Sequence, residues 1–381
     1  MKRCLLIGCG AEIGSNLLLL NDPDHDGFAI TTVLTNAPSL DKHYPDLRPI
    51  DGIVARLALA QPGCLSQIAV KDGSTLVING NTVNFIFCDL RKDLPDITDL
   101  FDIAFLCTNK ADISLTSEVA AKIRPIARII LGAAESDSLP SLYTCLADLD
   151  VDSFETISKE TIGDGMYCLG SCQTNGMHAS LRVVIQALDK LDLTSRDILA
   201  IETDIVHPDT PNGVLGTRSF EGRMQDARDN LRPSFSQIAQ SQRKVMPWAP
   251  LINTISLRAP VHAPGFQINR FIVKDHGQLR TADITSAIDA IANQFSYIAR
   301  ATTTPLGGRA YSQDRRCATI LTDPCHLILH RPSYLSANGL SQIILQSFVN
   351  NTIGYSAVVM AAARRIALQL PTATFKGFEN G

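Results

Sequence analysis

The sequence predicts an α/β chain of two domains, the first built on a parallel sheet and the second on a mainly antiparallel one. Three observations carry this. Continuous apolar strands alternate with helices through 4–133, the pattern of a parallel sheet covered on both faces. Past 172 the strands grow long and few crossover helices separate them, which favours antiparallel pairing. The length, 381 residues, also exceeds what one hydrophobic core comfortably organises.

In order, CLLIG (4–8) reads as a short buried strand, followed by glycines and the helix start SNLLLL. AITTVLTN (29–36) is a second strand, rich in β-branched residues. TLVINGNTVNFIF (75–87) reads as a hairpin turning at Asn79-Gly80, with Asn81 also allowing a longer loop. DIAFLCTN (102–109) and ARIILGA (127–133) are strands, with a helix over 115–123 between them. In the second half the pattern gives a helix over 180–190, a strand over 198–207 and a long loop over 208–230. A helix near 236–244 follows, then strands at 252–260 and 266–274 and a helix over 284–295. Strands at 317–322 and 325–331 and the segment 340–348 come next. An apolar helix over 354–370 closes the pattern, with Pro371 as its stop.

Hydrophobic residues make up 45% and charged residues 19%, and the net charge is −4, so nothing favours nucleic acid as a partner. The start MKRCLLIGCGAEIG begins like a signal peptide, but Gly8, Gly10 and Glu12 interrupt the apolar run, and no later run is long enough to span a bilayer. Ten cysteines without a CxxC argue against disulfide staples or a zinc ribbon and fit a reducing cytoplasm.

The first strand ends in Gly8, Gly10 and Gly14. A dinucleotide-binding turn needs glycines here so that backbone amides and a helix N-terminus approach a pyrophosphate. The spacing is one residue longer than the usual fingerprint, and a plain glycine-rich βα turn is the alternative. The second strand ends in Asn36, where an NAD-selective fold usually has an acid for the ribose hydroxyls. A neutral Asn36 permits NADP as well as NAD and tilts the choice toward NADP, although no arginine follows directly in sequence. The alternative is a simple turn residue.

Cys172 stands at the start of a helix, in GSCQTNGMH (170–178). It is either a structural thiol or a nucleophile whose thiolate is favoured by the helix N-terminus. Cys4, Cys88 and Cys107, in apolar strands, read as small core residues. Cys325, His326 and His330 superficially suggest metal ligands, but strand spacing sets 326 and 330 too far apart for one ion, so no metal is expected.

Five separated segments, in order, resemble the phosphorylating glyceraldehyde-3-phosphate dehydrogenase family. Ser171-Cys172-Gln173-Thr174-Asn175 resembles its nucleophile motif, and Ile205-Val206-His207 its base-bearing strand. Residues 208–235, with Arg223 and Pro233, resemble its S-shaped loop. Leu257-Arg258-Ala259-Pro260-Val261 and Asn350-Asn351-Thr352-Ile353-Gly354-Tyr355-Ser356 resemble two further segments. The resemblance implies a Rossmann-type dinucleotide-binding domain over 1–171, completed by a C-terminal helix over 352–381, and an α+β catalytic domain over 172–351. It also implies a cytoplasmic homotetramer.

By this resemblance Cys172 is the nucleophile and His207 the base, and a His207 imidazolium would lower the thiol further. His178, expected along the helix surface, is the weaker candidate base. The Cys172 amide would be an oxyanion donor. Gly8, Gly10, Ile13, Gly14, Asn36, Thr108, Asn351 and Tyr355 would hold NAD or NADP, with Asn351 on the nicotinamide carboxamide. Ser171, Thr174, Thr210, Arg223, Ser236 and Arg258 would hold an anionic substrate or the attacking phosphate. The implied activity is oxidation of a small anionic aldehyde through a Cys172 thiohemiacetal to a thioester, or the reverse reduction of an acyl phosphate.

Departures are Gln173 in place of threonine, Ser236-Gln237 in place of Thr-Gly and Asn212 in place of an acid. The two glutamines would reshape the phosphate pocket. Two other readings remain open: a non-catalytic dinucleotide-binding paralogue, and a semialdehyde dehydrogenase of the acyl-phosphate type.

Overall fold

The computed structural model describes residues 1–381 apart from 11, 41–42, 93, 150–161, 209–230, 250, 262, 302–315, 323–326 and 378–381. The chain divides into two compact units. The first comprises Met1–Asp148, Thr156–Gly170 and Ser356–Gly381, and the second Leu149–Glu155 and Ser171–Tyr355. No helix among the described residues is long and apolar enough to cross a membrane.

In the first unit, β1 (Lys2–Ile7), β2 (Phe28–Thr35), β5 (Asn81–Phe87), β6 (Phe101–Leu106), β7 (Ala127–Gly132) and β9 (Gly165–Cys168) pair in parallel. The sheet order is β18-β8-β9-β7-β6-β1-β2-β5-β4-β3. Its antiparallel margins are β3 (Ile68–Val70) with β4 (Thr75–Ile78), and β18 (Thr374–Phe375) against β8 (Ser141–Leu142). Leu5, Ile7, Leu34, Ala104, Leu106 and Ile130 are buried in one cluster, which explains their unbroken apolar runs. β4 and β5 form the expected hairpin. Asn79 (φ 50°) and Gly80 (φ 79°) make its two-residue turn, a conformation that Asn-Gly supplies at little cost.

The helices of this unit include α1 (Glu12–Leu20), α2 (Pro23–Asp26), α3 (Pro49–Ala60) and α4 (Glu118–Ile123). α4 begins three residues later than the periodicity suggests, because the Ser117 side chain accepts from the Ala120 amide and starts the helix there. The helix Ile353–Ala367 carries the chain back into this unit. Its Arg364 Nε donates to buried Asp26 at 3.2 Å, and Ser356 Oγ donates to the Ile13 carbonyl at 3.4 Å. Pro371 does not stop this helix as expected. The helix ends at Ala367, and Gln369 turns to φ 55° before the proline is reached.

The second unit holds β10 (Ile198–Pro208), β11 (Arg232–Ser234), β12 (Leu251–Ala259), β13 (Gly265–Lys274), β14 (Ile298–Arg300), β15 (Thr319–Leu321), β16 (Ile328–His330) and β17 (Leu340–Val349). Pairing is mainly antiparallel, as in β10–β13–β17, but β10 and β12 run parallel. α5 (Cys172–Asp189) packs on this sheet and starts eight residues before the expected 180. Its first turns look polar in sequence yet are buried, and some of their polar side chains meet partners on other segments. Asn269 Nδ2 donates to Ser180 Oγ at 2.9 Å, and Thr203 Oγ1 donates to Asn269 Oδ1 at 3.1 Å.

Candidate functional site

In the first unit, the turn after β1 behaves as a dinucleotide turn requires. Gly8 has φ 90°, and a Cβ there would stand 2.8 Å from the Cys107 carbonyl oxygen. A Cβ on Gly14 would stand 2.2 Å from the Gly8 carbonyl oxygen, so this glycine lets α1 pack directly on the strand end. A cavity of about 470 Å³ opens beside this turn. Gly8, Gly10, Thr35, Asn36, Arg56 and Thr108 are among its lining residues. Asn36 is exposed within it, and the buried Thr108 Oγ1 has no hydrogen-bond partner there. The cavity lies at the carboxyl ends of β1, β2 and β6, on either side of β1, where chain order reverses in the sheet and open α/β sheets bind ligands. The glycine cradle and the unspent Thr108 hydroxyl fit a nucleotide. Ile13 is half-buried, its carbonyl taken by Ser356. A larger cavity, about 650 Å³, borders Leu100, Leu115, Arg124 and Arg128, but among the described residues no thiol or hydroxyl lines it, and its Asp164 is paired with Arg128 at 3.3 Å.

In the second unit, Ser171 caps α5. Its hydroxyl accepts from the Thr174 amide at 3.0 Å, a contact worth about 1 kcal/mol. Cys172 is therefore the first helical residue. The residue is half-buried, and its sulfur lies 3.9 Å from His207 Nε2. His207 sits near the end of β10, and its register partner on β12 is Arg258. His207 Nδ1 is 2.7 Å from the Pro208 carbonyl oxygen, and Arg258 Nη1 is 2.9 Å from the same oxygen.

The thiol departs from expectation. Burial pushes Cys172 up to about 11, against the pull of the Gln173 amide, the Arg258 charge and its own amide. The helix N-terminus does act in the expected direction, but the loss of water around sulfur outweighs it. The Arg258 charge is among the groups that lower the thiol. His178 is likewise corrected. It is fully buried within α5 rather than on its surface, and burial lowers its pKa to about 3. It has no path to act as the base, which leaves His207 as the imidazole beside the sulfur.

Thr174 is fully buried, its hydroxyl 2.9 Å from Ser171 Oγ and 3.4 Å from Ser241 Oγ. Ser241 Oγ in turn donates to the Gln237 carbonyl at 3.0 Å, so this chain ties the start of α5 to the helix Ile238–Val245. Ser236 Oγ accepts from the Ile238 amide at 3.4 Å. Thr174 and Ser236 thus spend hydrogen bonds on structure. Gln173 is buried with both amide atoms lacking partners, and unsatisfied groups of this kind mark sites with something left to bind. Asn350 holds the turn before the helix Ile353–Ala367. Its Oδ1 accepts from the Thr352 amide and hydroxyl at 3.0 Å each and from the Gly354 amide at 3.3 Å. This turn places Asn351, whose buried Oδ1 lacks a partner, while Tyr355 is buried.

Thr210, Asn212 and Arg223 lie outside the described residues, as do Cys325 and His326. Among the described residues no group of three His, Cys, Asp or Glu side chains could hold a metal ion. The sequence reading missed Arg56 and the Pro208 carbonyl. Nothing in the spacing of either marks it, because each matters only through what the fold sets beside it. Comparison with protein-family models gives no match, and comparison with curated proteins gives none either.

Proposed function

We propose that the chain is an NAD(P)-dependent aldehyde oxidoreductase of the cytoplasm that works through a thioester on Cys172. The observation that carries this reading is the 3.9 Å approach of Cys172 Sγ to His207 Nε2 at the first residue of α5. Cys172 sulfur attacks the aldehyde carbon while its proton passes to His207 Nε2, and the proton returns to the new alkoxide to give a thiohemiacetal. His207 then takes the hydroxyl proton as the C–H bond breaks. A bound nicotinamide cofactor would supply the acceptor for the hydride. The carbonyl reforms as a thioester, which phosphate, water or another acceptor cleaves, returning the thiol. Run backwards, the same residues reduce an acyl phosphate.

The high thiol pKa makes direct proton transfer to His207 necessary, because little thiolate stands ready at neutral pH. Arg258, beside His207, suits a small anionic substrate. The same raised pKa favours a second reading, a dinucleotide-binding paralogue without catalysis.

A cofactor-reduction screen separates the two, with small anionic aldehydes tested against NAD and NADP, with and without phosphate. The proposal expects turnover that Cys172→Ser abolishes and that His207→Asn lowers about 10²–10⁴-fold. Nucleotide binding without turnover, in both directions, establishes the paralogue instead.

A further inference from the structure

Arg56 reaches the glycine turn from α3, twenty residues beyond Asn36. Its Nη1 lies 2.6 Å from where a Cβ on Gly10 would stand, so the guanidinium occupies space that only a glycine leaves open. It lines the same cavity as Thr35 and Asn36 at the end of β2. Among the described residues no carboxylate lines this cavity and none pairs with Arg56. A half-buried cation therefore faces a cavity whose described lining supplies nothing negative to neutralise it. Its charge is felt at the turn itself. Burial pushes the Cys9 thiol up to about 12, and Arg56 is one of the groups that pulls it back.

We propose that Arg56 and Asn36 form a subsite for the 2′-phosphate of an adenine dinucleotide, so that the cofactor is NADP rather than NAD. The inference rests on the dinucleotide reading above and sharpens it. At the end of β2 a carboxylate would accept from ribose hydroxyls, and Asn36 removes that carboxylate. A 2′-phosphate brings negative charge that needs a cation, and a guanidinium answers it with two parallel donors. The pyrophosphate needs no side-chain cation, since helix amides serve it.

The test measures binding to the full-length protein by nucleotide fluorescence, with competition by adenosine 2′,5′-bisphosphate and by 5′-AMP. The expected result is that wild type prefers NADPH to NADH and the bisphosphate to AMP by about tenfold or more. Arg56→Gln should weaken NADPH by about tenfold and leave NADH within about twofold. Asn36→Asp, at an exposed position, should weaken NADPH selectively through like-charge repulsion, and it keeps the test open if the first variant misfolds. Equal weakening of both nucleotides by Arg56→Gln would put the guanidinium on the shared pyrophosphate and overturn the proposal. So would equal binding of both nucleotides that neither variant alters. A wild-type chain that binds no dinucleotide at all brings down the functional reading itself, a result distinct from either.

Discussion

His207 and Arg258 stand opposite each other on the parallel strands β10 and β12, with Nδ1 and Nη1 2.9 Å apart and both directed at the Pro208 carbonyl oxygen. Guanidinium nitrogens only donate, and so does a protonated ring nitrogen. With its proton on Nδ1, His207 donates to the Pro208 carbonyl 2.7 Å away and leaves Nε2 to accept from Cys172, the tautomer that the proposed chemistry uses; with Nδ1 bare, the ring accepts from Arg258 and Nε2 carries the proton.

Replacing Arg258 tests whether it serves the site or only the substrate. Arg258→Met keeps the length and removes the charge that lowers the Cys172 thiol. The expected result is about a tenfold fall in kcat, together with slower alkylation of Cys172 at fixed pH. A rise in KM alone, with alkylation unchanged, would assign Arg258 to substrate binding only.

The thiol's own titration gives a second expectation. With Cys172 pushed up to about 11, its thiolate fraction at neutral pH is about 10⁻⁴. Alkylation by iodoacetamide, followed by peptide mass, should therefore accelerate steadily with pH toward about 11. A plateau below about pH 8 would reveal a preformed thiolate–imidazolium pair and contradict this.

His178 sets an acid limit on the fold. Buried neutral, it binds its proton only near pH 3, whereas in the unfolded chain it does so near the ordinary histidine value of 6.5. The unfolded state therefore takes up the proton first, and stability present above 6.5 is lost as pH falls toward 3. The expected contribution is a slope approaching about 1.4 kcal/mol per pH unit in urea unfolding. His178→Gln should flatten this slope across the same window, and an unchanged slope would show that His178 protonates freely in the folded state.

The local patterns of this chain were legible because local physics sets them. The alternation of β13 reports its two faces, the continuous apolar run of β6 reports burial on both sides, and Asn79-Gly80 declares its turn. Cys172 read correctly as standing at a helix start, but the helix itself was placed too late, since the buried polar residues of its first turns break the apolar period. Their partners Asn269 and Ser241 come from distant segments.

The sequence by itself determined the two sheet types, the glycine turn and a cysteine at a helix start, all of which follow from short-range propensity and period. Only the tertiary structure decided that burial raises the Cys172 thiol 3.9 Å from His207, that His178 is sealed away, and that Arg56 overhangs Gly10. The reason is physical. Desolvation, tautomer choice and charge placement depend on which residues are brought within a few ångströms, and residues 56 and 10, or 207 and 258, meet only once the strands and helices have packed.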